Sequence, residues 1–69
     1  MKQLKIKNIK VGYKFKAKDD DDGRWYLSVI TEVFNDKFIA KDISDGDWDG
    51  IEWEILNEEI TNTKLYQSV

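Results

Sequence analysis

The stretch Tyr13-Lys14-Phe15-Lys16-Ala17-Lys18-Asp19-Asp20-Asp21-Asp22-Gly23-Arg24-Trp25-Tyr26-Leu27-Ser28-Val29-Ile30 decides the fold. In its first third Tyr13, Phe15 and Ala17 interleave with Lys14, Lys16 and Lys18. A period of two is the signature of a strand with one face buried and the other in water. The run of aspartates ends in Asp22-Gly23, a pair that favours the tight turn of a β-hairpin. Residues 24–34 then read as a long returning strand, rich in aromatic and β-branched side chains. Both of its alternating sets are largely apolar: Trp25, Leu27, Val29 and Val33 on one side, Tyr26, Ile30 and Phe34 on the other. A straight half-buried strand would not have this composition. A strand bent at a bulge can serve a core with different faces at its two ends.

Working outward, Asn35-Asp36 makes the next turn and residues 37–43 return as a strand. Residues 44–50 form a loop with two Asp-Gly pairs, and residues 51–56 are a strand in which Ile51, Trp53 and Ile55 oppose Glu52 and Glu54. Residues 57–60 suit one helical turn and 64–69 a last strand. At the start of the chain Leu4 and Ile6 alternate with lysines, so residues 1–8 are expected as an N-terminal strand or arm. No stretch keeps helical periodicity for ten residues. Five to six short antiparallel strands joined by tight turns in 69 residues predict an all-β fold, a small rolled barrel forming one domain over 1–69. Rolling buries the apolar face on itself, whereas a flat sheet of this size would leave it wet.

Val11-Gly12-x-Lys14-x-x-Ala17, Asp22-Gly23 and Tyr26-x-Ser28-x-Ile30-x-x-Val33 together resemble the first half of a Tudor domain. The resemblance covers about residues 9–56 and implies a five-stranded SH3-like barrel with Tyr26, Ser28 and Ile30 facing inward. It also implies recognition of methylated Lys or Arg in an aromatic cage through cation–π attraction. Tyr26 matches one cage aromatic. The other cage places fall near Asp19, Asp42 and Asp45, none of them aromatic, so a cage here needs Trp48 or Tyr13 to complete it.

Composition excludes much chemistry. There is no Cys and no His, so disulfides, Cys/His zinc sites, haem ligation and histidine- or cysteine-based catalysis are absent. Catalysis would rest on carboxylates, Lys or Tyr, and no spacing nominates a pair, so the chain reads as a non-enzyme with no cofactor. Asp45-x-Asp47-x-Asp49-Gly50 opens like a calcium loop. The bidentate twelfth ligand would fall on Leu56, however, and the bland alternative is a solvated acidic turn, so no metal is expected. No apolar run reaches the ~20 residues of a membrane span, and a cytoplasmic address without membrane contact is the expectation.

The net charge of −3 hides an asymmetry. Residues 1–18 carry seven lysines and no acid, a balance of +7. The rest carries four cations against all fourteen acids, a balance of −10. The bland account of the lysines is a cross-strand arrangement, with an acidic strand lying beside them. Nine aromatics exceed what so small a core encloses, and Trp48, between two aspartates, is expected at the surface.

These readings favour a non-enzymatic module making protein–protein contacts through an acidic, aromatic barrel rim, with Tyr26, Trp48, Asp45, Asp47 and Asp49 as the binding residues. One alternative is an acidic inhibitor or nucleic-acid mimic, of the kind small phage proteins provide, docked on a basic protein surface. The other is nucleic-acid binding through the lysine-rich strand, against which the overall acidity argues. Exposed strand edges and surplus aromatics also suit a homodimer.

Overall fold

The alternation in residues 13–34 produces a hairpin, and two further hairpins extend it into one antiparallel sheet. The computed structural model describes residues 2–69. A 3-10 turn at Ile6–Asn8 precedes β1 (Lys14–Lys18), β2 (Trp25–Val33), β3 (Lys37–Asp42), β4 (Glu52–Leu56), the helix α1 (Asn57–Asn62) and β5 (Tyr66–Ser68). The strand order is β4-β3-β2-β1-β5, so β5 returns beside β1 while β1 to β4 run as a meander. This order is compatible with an SH3-like barrel.

The two apolar sets of β2 are separated by an irregularity. Ile30 pairs with Ala40, but Glu32 pairs with Ile39 and Val33 with Phe38, so the register shifts across Thr31. The extra residue sets Val33 opposite Phe38, on the side that Ser28 and Ile30 occupy before the bulge, although Val33 is 40% exposed at the strand end. Ser28 and Ile30 are buried, as the family resemblance implied, while Trp25, Leu27 and Val29 are half-covered on the outer face.

One core lies on the inner face. Phe15, Ile30, Phe38, Ala40 and Ile55 come from four strands, with Leu4 and Ile60 added from the N-terminal segment and α1. Tyr66 of β5 and Trp53 of β4 pack against the same cluster, so both edge strands wrap a common interior. Phe15 meets Phe38 edge-to-face at 5.9 Å between ring centroids, a favoured arrangement of aromatic quadrupoles.

The N-terminal segment, expected as a strand or arm, runs beside β5: Leu4 N–H donates to Tyr66 O and Ser68 N–H to Lys2 O. Between residues 2 and 8 only Gln3 joins the sheet, through an isolated bridge to Gln67, before the 3-10 turn at Ile6–Asn8. Met1 lies outside the described residues. The Gln3 amide donates to the carbonyls of Ile60 and Thr63, tying this segment to α1. Leu4 is thereby held in the core with 1% exposure.

The β1–β2 turn binds itself together. Asp19 and Asp22 carboxylates accept the Asp21 and Arg24 N–H groups at 2.8 and 2.7 Å. Gly23 sits at φ +71°, where a Cβ would be strained although nothing crowds the position.

Ser28 is the polar exception in the interior: it is fully buried and its Oγ has no hydrogen-bond partner. A buried hydroxyl left unpaired costs about 1–3 kcal/mol. Ser28→Ala is therefore expected to raise stability by about 1 kcal/mol, read as a higher urea midpoint with unchanged slope.

Candidate functional site

Two loops bring an aromatic and acidic group of side chains together at one end of the sheet. Tyr26 and Trp53 arrive from β2 and β4, Tyr66 from β5, and Trp48 from the loop between β3 and β4; with Asp19 and Asp42 they line a cavity of about 280 Å³. Ala17, Lys18 and Ile51 complete the lining. The volume lies near the lower limit for ligand pockets and suits one long side chain better than a drug-sized molecule.

Each wall has a local cause. The inward alternation Phe38, Ala40, Asp42 carries Asp42 onto the core side, where it is 3% exposed. Its backbone closes the following loop: Asp42 N–H donates to Ile51 O at 2.9 Å, and Gly50 N–H donates to Asp42 O at 2.8 Å. Gly50 has φ +85°, a conformation that glycine adopts without strain. Within this loop Ile51 N–H donates to Trp48 O at 3.0 Å, which fixes the backbone of Trp48; its side chain is 49% exposed. The Tyr26 hydroxyl donates to Asp22 Oδ2 at 2.5 Å, so the acidic turn braces the tyrosine. That bond holds the Asp22 carboxyl below the usual carboxylate range, helped by the Arg24 N–H, and pushes the Tyr26 phenol up.

Asp42 is the unusual member. Its Oδ1 accepts from Ser44 N–H at 2.8 Å and from Ser44 Oγ at 2.5 Å. It forms no ion pair: the one ion pair among the described residues joins Lys37 and Glu54 at 3.1 Å, and Lys18, which shares the cavity lining, is not bonded to it. A nearly buried carboxylate without a counter-charge, next to aromatic faces, forms half of an ion pair. A cationic group entering the cavity would complete it and meet aromatic faces at the same time.

Tyr66 lines the cavity and packs on the core, with its hydroxyl 3.4 Å from Glu59 Oε2. Burial, and next the Glu59 charge, raise its pKa from 10.0 to about 12. The folded protein thus holds this proton more tightly than the unfolded chain. The resulting stability is complete below pH 10 and is lost as pH rises towards 12. Because the side chain is only half-buried, solvent screening reduces the effect. Tyr66→Phe is expected to flatten the alkaline limb of the urea midpoint measured between pH 9 and 12.

Of the residues nominated from the sequence, Tyr26 and Trp48 meet in the cavity. Asp45, Asp47 and Asp49 stay on the exposed part of the loop, outside the lining. Asp49 Oδ1 accepts the Asp45 N–H at 3.1 Å, and Asp45 itself has φ +65°, a conformation Asp tolerates in turns. Among the described residues no three carboxylates converge as a metal site would require. The sequence reading did not nominate Trp53, Tyr66, Asp19 or Asp42 as binding residues. A usable signal existed for Asp42, since an acid at an inward strand position is rare unless it is paired.

Comparison with protein-family models, curated proteins and solved structures finds no match to this chain. No described helix is long and apolar enough to cross a membrane.

Proposed function

We propose that this domain is a non-enzymatic binding module that takes a cationic side chain of a partner protein into its aromatic–acidic cavity. The observation that carries this reading is Asp42: a carboxylate 3% exposed, with donors on one oxygen and no ion pair among the described residues, lining the same cavity as four aromatic rings and Lys18. Tyr26, Trp48, Trp53 and Tyr66 offer faces for cation–π contact, and Asp42 and Asp19 offer charge. The exposed Trp48 provides apolar area to the rest of a bound segment, as aromatic anchors do at protein interfaces.

The Tudor-type resemblance supports the same reading at a finer level. Tyr26 holds the place of one cage aromatic in that family. Trp48, which the sequence left as the residue able to complete a cage, lines the same cavity. Lysine or arginine, methylated or not, is therefore the ligand class.

Synthetic peptides with a central Arg, dimethyl-Arg, Lys or trimethyl-Lys test this by fluorescence polarisation on the full chain. At least one is expected to bind, and Trp48→Ala is expected to weaken it more than tenfold while the melting temperature moves by only a few degrees. Failure of all four peptides at millimolar protein would overturn the reading. Binding that survives Trp48→Ala but disappears with Asp45→Asn, Asp47→Asn and Asp49→Asn would point instead to an acidic surface docking on a basic one. Such docking would also fall steeply with salt.

A further inference from the structure

Lys14, Lys16 and Lys18 occupy the outward positions of β1, on either side of Phe15 and Ala17. The expected acidic neighbour strand is not there. Their partners on β2 are Val29, Leu27 and Trp25, and on β5 Lys16 faces Gln67. None of the three forms an ion pair among the described residues. Three like charges on alternate residues of one strand repel each other, so the charges of the row add nothing to folding stability.

The row also has an apolar companion. Trp25, Leu27 and Val29 stand on the same face of β2, each half-covered, and Lys41 lies across Val29 on β3. The acids on this face sit at its margins. Glu52 is opposite Lys41 and Glu54 is bonded to Lys37, while Glu32 lies beyond the bulge and the Asp19–Asp22 turn at the hairpin end. The face is thus a line of uncompensated cations beside a line of apolar side chains that includes one indole.

We infer that this outer face binds single-stranded nucleic acid, with phosphates on Lys14, Lys16 and Lys18 and bases laid over Trp25, Leu27 and Val29. Side chains on one face of a strand repeat every ~6.7 Å, so the three ammonium groups mark a line of ~13 Å. A flexible single strand can stretch its phosphates along that line, whereas a duplex carries a rigid charge every ~1.7 Å of axis. Base faces stack on aromatic and apolar surface without regard to sequence. The Trp25 indole N–H is the one side-chain donor in the apolar row, too little to read a sequence of base edges, so recognition is by backbone charge and stacking. The overall charge of −3 weakens approach at long range, but beyond a Debye length of about 10 Å at 0.1 M salt it is largely screened. This surface is separate from the Asp42 cavity, and Lys18 alone borders both.

The test is fluorescence anisotropy of labelled ten-nucleotide oligo-dT and oligo-U with the full chain, from 20 to 200 mM NaCl. Neutralising three phosphates of a single strand predicts a log–log salt slope of about −2, so affinity falls roughly a hundredfold over that range. Changing Lys14, Lys16 and Lys18 together to Gln is expected to abolish binding while circular dichroism shows the fold intact. Trp25→Leu is expected to weaken it about tenfold with the salt slope kept. Trp48→Ala should leave it unchanged, which separates this surface from the cavity. The inference is overturned by no binding of either oligonucleotide at 20 mM salt, or by binding that the triple Gln variant retains. It is equally overturned if heparin or phosphatidylserine vesicles bind as tightly and Trp25→Leu has no effect.

Discussion

Phe38→Ala is expected to lower stability by about 3–5 kcal/mol and to leave much of the protein unfolded at 37 °C. Phe38 is fully buried, and its ring meets Phe15 edge-to-face at 5.9 Å. It pairs with Ile55 on one side and Val33 on the other, so its loss opens the centre of a sheet that wraps a single core. A 69-residue domain has a total stability of roughly 3–10 kcal/mol, and no disulfide or Cys/His zinc site is available to make up the loss. In a domain this size the melting temperature falls by about 4–8 °C for each kcal/mol, so a drop of more than about 12 °C by circular dichroism is the expected result. Phe34 is the control. Its ring is 43% exposed with Lys37 Nζ 5.5 Å from its centroid, and Phe34→Ala should change stability by no more than about 0.5 kcal/mol. Equal effects at the two positions would contradict the described core.

Asp42→Asn carries the second large effect, and it acts on binding. The amide oxygen can still accept from Ser44 N–H and Ser44 Oγ, so the loop between β3 and β4 keeps its closure. What disappears is the charge. Truncating one partner of a desolvated charge pair costs 2–5 kcal/mol or more, so affinity for a cationic peptide is expected to fall by at least thirtyfold. Asp42→Leu makes the contrast. It removes the acceptor and leaves the Ser44 donors unpaired, which costs about 1–3 kcal/mol of stability as well. An Asn variant that binds a cationic peptide as tightly as the parent would show that the buried carboxylate is not part of recognition.

Most of the strand layout was legible because the signals are local. Alternation gave β1 and β4, Asp22-Gly23 and Asn35-Asp36 gave the turns, and each strand end differs from the expected one by no more than two residues. The faces of β2 could not be read by counting apolar residues. Trp25, Leu27 and Val29 are as apolar as a core set, yet the register puts them outside beside lysines, whose stems can cover them. The bulge at Thr31 then puts Val33, of the same alternating set, opposite the core residue Phe38, and no residue type there announces it. The N-terminal segment was legible only as a strand or an arm. Its alternation is real, but bonds from Gln3 to residues nearly sixty positions away set its path.

The cavity was half legible. Tyr26 and Trp48 followed from family position and from surplus aromatics, but nothing in the sequence singled out Trp53, within the alternation of residues 51–56, or Tyr66, within the last strand. They are both: packed on the core at one side and lining the cavity at the other. The exposed aspartates drew attention through their number, whereas the aspartate with the distinctive environment is Asp42, hidden by its burial. The lysine row shows a further limit of sequence. Alternation located it, but only the register revealed that no acid faces it.

The most direct test of the central claim is a 1H–15N NMR titration of the full chain with a peptide bearing a single central Arg or trimethyl-Lys. The account predicts that the largest shifts fall on the indole N–H groups of Trp48 and Trp53 and on the backbone of Tyr26, Asp42 and Tyr66. Shifts confined to Asp20–Asp22 and Asp45–Asp49, with both indoles unmoved, would contradict it.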